Sequence, residues 1–296
     1  MLTPKPPSDA TSSVAPPVAP AYLTGPLPDL AAWSRYFLDA EIPVLTSTAM
    51  ALERLRARED EVDAHMLGEV IQADPLMTVK LMAHVASKRR AGSGTETESV
   101  TASLLLMGVA PFFRDFGPQP AIKDRLRQLP LALEGLRNLM QRSKRAAHFA
   151  LGFAVHRGDM DASVIHTAAF LYDFAEMLMW CHAPTLQLRI ALAQQADPAL
   201  RTAAIQRSVL NIEIDDLRQN LMSHWHLPEL LVRICDSRHA DQAIVRNVVL
   251  AVRLARHTMH GWDNAAVPDD VNDIAQLLNA SPRAALAFLH KIEQTG

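Results

Sequence analysis

From Asp29 onward, apolar residues return every three or four positions, the period of one face of an α-helix. After Asp74, residues Leu76, Val79, Leu81, Met82 and Val85 read as one side of a helix, and Leu104, Leu105 and Met107 close the next. Residues 131–157 carry the pattern without a break, which predicts one helix crossing about 40 Å at 1.5 Å per residue. Further helices are predicted over 161–182, 184–195, 198–209, 213–225, 228–239, 241–260, 270–279 and 282–293. No convincing run of alternating β-branched residues competes with this pattern, so the expected fold class is all-α.

Local signals punctuate the helices. Asp74-Pro75, Asp197-Pro198 and Ser281-Pro282 each place a capping side chain before a proline. The cap oxygen accepts an orphan backbone N–H, and the proline lacks an N–H that the first turn would leave unused. Gly108, Gly117 and Gly158 mark expected stops. The polar stretch "SKRRAGSGTETES", residues 87–99, reads as an exposed loop.

Residues 1–28 differ from the rest. They hold eight of the nineteen prolines and two charges, Lys5 and Asp9. Such a segment buries little and cannot continue a helix, so it is expected to be a disordered tail leaning toward polyproline II. The expected layout is this tail, a helical domain over 29–240 made of 29–128 and 129–240, and carboxy-terminal helices over 241–296 packed on it.

Composition narrows the function classes. The 296 residues are 49% apolar and 21% charged, with a net charge of -3, an ordinary soluble mix that argues against a chain-wide nucleic-acid binder. The longest apolar stretch, around "SLLLMGVAPFF", is too short and interrupted to span a bilayer. Cys181 and Cys235 form no CxxC pair and read as reduced core residues of a cytoplasmic protein. The start "MLTPKPPSDA" lacks the charged-then-apolar order of a signal peptide.

Few motifs carry chemistry. Phosphate loops, a GxSxG elbow and HExxH are absent from the sequence. His257 and His260 share a helical face, but no third ligand lies near them in sequence, so they read as boundary residues. His224 and His226 flank Trp225 and point to different sides, with His226 in the turn before Pro228. The basic residues Arg137, Arg142, Lys144 and Arg145, with Lys88, Arg89 and Arg90, form either a solvated face or a phosphate-binding surface, in which Arg142, Lys144 and Arg145 are the candidates.

Taken in order, several segments resemble the HDOD domain family. "LGEVIQADPLMTVKLMAHVAS" and "SVTASLLLMGVAPFFRDF" are similar to its amino-terminal half, with Ile71, Asp74, Pro75, Leu81, Ser87, Leu106 and Gly108 keeping the frame and Ala86 replacing an asparagine. "FLYDFAEML" is similar to the family's "GLLHDIGKL", and "MSHWHLPELLVRI" to its tryptophan-leucine-proline segment. The resemblance covers residues 40–240. It implies a helical domain related to metal phosphohydrolases, whose metals are held by a histidine, a His-Asp pair and a later aspartate.

This chain departs from that ligand set. By register against the family, Arg142 stands at the first histidine, Tyr172 at the histidine of the pair and Ile214 at a later histidine. Asp173 remains, and His239 matches the end of a terminal histidine run. Tyrosine is a poor ligand at neutral pH and arginine repels a cation. We therefore expect no metal, no cofactor and no catalysis, and we expect Arg142 to pair with Asp173. The function implied is a bacterial regulatory module with a protein partner. The alternative is a sensor for a small phosphorylated ligand or nucleotide in the vacated cleft, and a metal phosphohydrolase is the least favoured reading. Neither a membrane nor nucleic acid is an expected partner.

Overall fold

The computed structural model describes residues 21–90, 99–197 and 199–295. Among these there is no β-strand, and one isolated parallel bridge joins Val44 to Ala121. The chain opens with α1 (Leu30–Asp39), α2 (Thr46–Arg56), α3 (Ala64–Gln72), α4 (Pro75–Arg90), α5 (Val100–Met107), α6 (Val109–Asp115) and α7 (Ile122–Arg125). The long α8 (Pro130–Arg157) leads to α9 (Ala162–Leu171), α10 (Phe174–His182), α11 (Pro184–Ala196), α12 (Thr202–Leu210), α13 (Ile214–His224) and α14 (Glu229–Ile234). A 3₁₀ turn, Ser237–His239, precedes α15 (Ala243–His257), α16 (Val267–Leu277) and α17 (Pro282–Thr295).

Two of the three Pro-marked starts stand as expected. Asp74 Oδ1 accepts the N–H groups of Leu76 and Met77 at 2.9 and 3.2 Å, capping α4. Its Oδ2 accepts the N–H of Leu45 at 2.6 Å and so ties the start of α2 to α4. Ser281 Oγ accepts the N–H of Ala284 at 3.3 Å. Asp197 instead closes a turn, its carboxylate accepting from Ala199 and its carbonyl from Leu200. Pro198 lies outside the described residues, and α12 begins only at Thr202. Gly108 and Gly158 end α5 and α8 at positive φ, 83° and 71°, where a side chain would be strained.

Two hydrophobic cores share α4. Leu76, Val79 and Met82 face the larger core, and Met77, Leu81 and Val85 face a smaller one formed with α2, α3, α5 and α6. The apolar residues expected on one side thus divide between two faces, as a helix buried all round requires. Leu105, expected to close a core face, is 71% exposed. Residues 87–90 continue α4 instead of opening a loop, and residues 91–98 of that loop lie outside the described part. The predicted helix over 228–239 stops at Ile234 before the 3₁₀ turn.

Residues 1–20 of the proline-rich tail also lie outside the described part. Residues 21–28, assigned to the tail by composition, are held against the domain. The N–H of Leu23 donates to the His182 carbonyl at 2.8 Å, the Tyr22 hydroxyl donates to the Arg125 carbonyl, and Asn211 Nδ2 donates to the Leu27 carbonyl at 3.0 Å. Their anchors are residues more than 100 positions away, which local composition does not reveal.

The long α8 organises the second half of the chain. Its buried Ala146, Ala147, Ala150 and Ala154 allow α9 and α15 to pack closely along it. At Gly135 an added Cβ would stand 2.5 Å from the Trp180 ring, and at Gly152 one would stand 2.5 Å from Ile292 Cδ1. The absence of side chains at these two positions lets α10 and α17 touch the α8 backbone.

Candidate functional site

The segment 161–182, predicted as one helix, breaks at Tyr172–Asp173. Asp173 adopts φ -97° and ψ 13°, a sparsely populated backbone region common among site residues. It holds the cap position of α10, yet its side chain makes no cap hydrogen bond there. The carboxylate turns to α8 instead. Arg142 donates to Asp173 Oδ2 from Nε at 3.1 Å and from an amino nitrogen at 3.0 Å. The same amino nitrogen donates to Glu176 Oε2 at 3.1 Å. Glu176 stands three residues after Asp173, on the same side of the first turn of α10.

The electrostatics follow from this packing. Burial opposes ionisation of Asp173, but the charges of Arg142, Arg256 and Arg218 outweigh it and hold the carboxyl below its ordinary value. Burial likewise disfavours the charged Arg142, and the two carboxylates overcome that, keeping the guanidinium protonated. Arg142 and Asp173 are therefore a charged, interlocked pair joining α8 to the α9–α10 break.

A second buried guanidinium holds the other side of the break. Arg218, on α13, is 1% exposed. It donates to Asp215 Oδ1 at 2.8 Å, to the Cys235 carbonyl at 3.0 Å and to the Tyr172 carbonyl at 3.4 Å. Its guanidinium carbon lies 3.8 Å from the Tyr172 ring centroid, a cation–π contact in a desolvated setting. The Tyr172 hydroxyl donates to Asp215 Oδ2 at 3.5 Å, and Ser237 Oγ donates to the same oxygen at 3.4 Å. Burial pushes the Tyr172 phenol upward, so it stays neutral at physiological pH.

The other sequence candidates fall in different places. Ile214 is buried in the large core and donates its N–H to Gln206 Oε1 at 3.0 Å. His239 lies in the 3₁₀ turn, exposed, with Nδ1 3.2 Å from Asp236 Oδ2. Lys144 is exposed, and Arg145 points to α15 and α17, donating to the Thr258 carbonyl at 3.0 Å, to Thr258 Oγ1 at 2.9 Å and to Glu293. Lys88 pairs with Asp115. Arg142, Arg145 and Lys88, grouped by sequence, therefore serve separate surfaces, and the side chains of Arg89 and Arg90 lie outside the described part. His148 Nε2 donates to the Ile292 carbonyl, 3.1 Å away, and not to Asp173. His257 packs its Nδ1 2.6 Å from the buried Asp270.

Arg218 escaped the sequence reading. Its signal was an arginine inside an apolar stripe: Ile214, Leu217, Arg218 and Leu221 fall at helical spacing on one face. A charged residue there must find partners within the core.

The donor set does not fit the metal that the resemblance to phosphohydrolases implies. Asp173 carries a guanidinium on Oδ2, Tyr172 is a neutral phenol against a second guanidinium, and Ile214 has no donor side chain. Among the described residues no group of three His, Cys, Asp or Glu is placed to hold a metal ion. No helix among them is long and apolar enough to cross a membrane.

The sequence model of the HDOD domain matches residues 42–241. The chain belongs to the HDOD family. Solved structures share this HDOD fold. The MmoQ response regulator of Methylococcus capsulatus superposes with a TM-score of 0.60 at 19% identity, covering 81% of this chain and 99% of that one. A virulence factor of Campylobacter jejuni superposes with a TM-score of 0.59 at 15% identity, covering 90% of this chain and 99% of that one. At such identities the likeness is one of fold. A comparison with curated proteins finds no match.

Proposed function

We propose that this HDOD protein is a non-catalytic signalling module of the bacterial cytoplasm that acts by contact with a protein partner. The observation that carries the reading is the guanidinium of Arg142 bound to Asp173. Metal-assisted phosphoester hydrolysis needs an ion that lowers the pKa of a bound water. A fixed cation on the surviving carboxylate supplies charge and shape, but neither a Lewis acid nor a water to activate. Membership of the HDOD family and a fold shared with a protein described as a response regulator support a signalling context.

The same geometry weakens a ligand sensor centred on the former cleft, because Arg142 is committed to Asp173 and Glu176. The test is a hydrolysis assay of the full chain against phosphomonoesters, phosphodiesters and nucleotides, each with Mg²⁺, Mn²⁺ and Fe²⁺. The expected result is no turnover above background. Metal-dependent turnover that disappears in Asp173→Ala would overturn the proposal. Affinity capture from the native cell with mass spectrometry, repeated with a surface-neutral control chain, identifies the partner.

A further inference from the structure

Lys144 and Arg145 are left unused by the arrangement around Asp173, and the structure gives them a different setting. They project from α8 into a cleft of about 550 Å³ whose walls include Gln141, Lys144 and Arg145, with Thr258 and Trp262 from the end of α15 and the turn after it, and Glu293 from α17. Thr258, Trp262 and Glu293 lie beyond the residues that match the HDOD domain.

The walls are braced before any ligand arrives. Glu293 Oε1 takes a hydrogen bond from Arg145, and its Oε2 takes one from Trp262 Nε1 at 2.8 Å. Arg145 is further fixed by both oxygens of Thr258. Trp262 is half-buried, its ring 4.3 Å from that of His290. Lys144 is exposed, and among the described residues it has no ion-pair partner. With Glu293 satisfied at both oxygens, the three charged side chains leave the cleft one positive charge in excess, and the uncommitted donor is the Lys144 ammonium.

We propose that this cleft binds a nucleoside phosphate, with the phosphate at Lys144 and the edge of Arg145 and the base against the indole of Trp262. Three properties select that class. The volume lies in the range of small-ligand sites. The uncommitted Lys144 ammonium can donate charge-assisted hydrogen bonds to a phosphate, and the Arg145 guanidinium, its amino groups already bonded, adds positive charge beside it. An indole offers a planar apolar contact that every base can use. The inference is independent of the reading of Asp173, since no residue is shared between the two sites.

The test is isothermal titration of the full chain with AMP, GMP and CMP, and with inorganic phosphate and adenosine as the separate halves of the ligand. A nucleoside phosphate is expected to bind saturably, with each half alone much weaker. Lys144→Glu and Trp262→Ala are each expected to weaken binding at least about tenfold, the loss of one charged hydrogen bond or one stacked base. Trp262→Phe, which keeps an aromatic ring, is expected to retain most of the affinity. Lys144 is exposed, so Lys144→Glu decides the matter if Trp262→Ala fails to fold. The proposal is overturned by the absence of saturable binding to all three nucleotides, by full affinity in Lys144→Glu, or by inorganic phosphate alone binding as tightly as the nucleotides.

Discussion

Removing Arg142 exposes the energetics of the site most sharply. Arg142→Ala deletes three charged hydrogen bonds, two to Asp173 and one to Glu176. It also strands Asp173, whose side chain is 7% exposed, as a buried carboxylate. Breaking one side of a buried ion pair costs about 3–5 kcal/mol. Arg218 and Arg256 stay close enough to stabilise the orphaned charge in part, which places the expected loss near 3 kcal/mol on that scale. Asp173→Asn should cost less, because an amide oxygen still accepts from Arg142 while Glu176 keeps the guanidinium paired. The double variant Arg142→Ala, Asp173→Asn should be more stable than the two single losses sum to, since Asp173 is then no longer left charged and alone. The pH dependence has a definite sign. In the native protein the Asp173 carboxyl is held below its ordinary value, so its contribution is present above an unfolded pKa of about 3.9 and is lost as pH falls through the lower folded value. In Arg142→Ala burial shifts the same carboxyl the other way. The penalty is then full at neutral pH and shrinks as acid protonates the group. Urea unfolding of both proteins followed by circular dichroism at pH 7.5 and pH 5, where the native contribution is constant, reads the loss in Arg142→Ala and its decrease in acid. A loss under about 1 kcal/mol, the worth of an exposed ion pair, or a gap that widens in acid, would refute the reasoning.

Other perturbations test separate parts of the fold. Asp74→Ala should cost about 2–4 kcal/mol in urea unfolding, combining a lost helix cap with an unsatisfied Leu45 N–H; a cost below 1 kcal/mol would mean the link between α2 and α4 is dispensable. His182 donates from Nε2 to the Glu41 carbonyl at 3.0 Å, which leaves Nδ1 as an acceptor for Tyr36 and Arg125. Burial and the Arg125 charge push its pKa down to about 4, so the native state binds fewer protons than the unfolded one between about pH 6.5 and that value, and stability falls with acid by about 1.4 kcal/mol per pH unit there. His182→Gln should flatten that slope between pH 6.5 and 5, and an unchanged slope would assign it to other groups. Gly135→Ala should cost about 1–3 kcal/mol by overpacking against Trp180, read as a lower unfolding midpoint; an unaltered midpoint would show that the ring moves freely. Arg218→Met should destabilise the chain and shift Tyr172 fluorescence or its phenol titration, and a normal Tyr172 signal would refute the contact between them.

Much of the fold was legible because its rules are local. Asp74-Pro75, Ser281-Pro282, Gly108 and Gly158 wrote helix ends by capping and by backbone freedom, and α8 was written by an unbroken helical period. What failed was tertiary in origin. The division of α4 between two cores depends on having a neighbour on each face. Residues 21–28 are ordered by Arg125, His182 and Asn211, far along the chain. Asp197-Pro198 has the letters of a helix start, but the chain makes a turn and delays α12 to Thr202. The pairing of Arg142 with Asp173 was legible through the family register alone, since 31 positions separate them. Arg218 was hidden among its apolar neighbours, and the separation of Lys144 and Arg145 from Arg142 required knowing which side of α8 the later helices cover.

The central claim is that a guanidinium stands where a metal ion would otherwise meet Asp173. Metal stoichiometry measured by inorganic mass spectrometry tests it directly, on the full chain loaded with Mn²⁺ or Fe²⁺ and then dialysed. The expected result is far less than one ion per chain, unchanged in Asp173→Ala, because one carboxylate already bound to Arg142 cannot assemble a metal centre. One tightly held ion per chain, lost on substituting Asp173, would contradict the account.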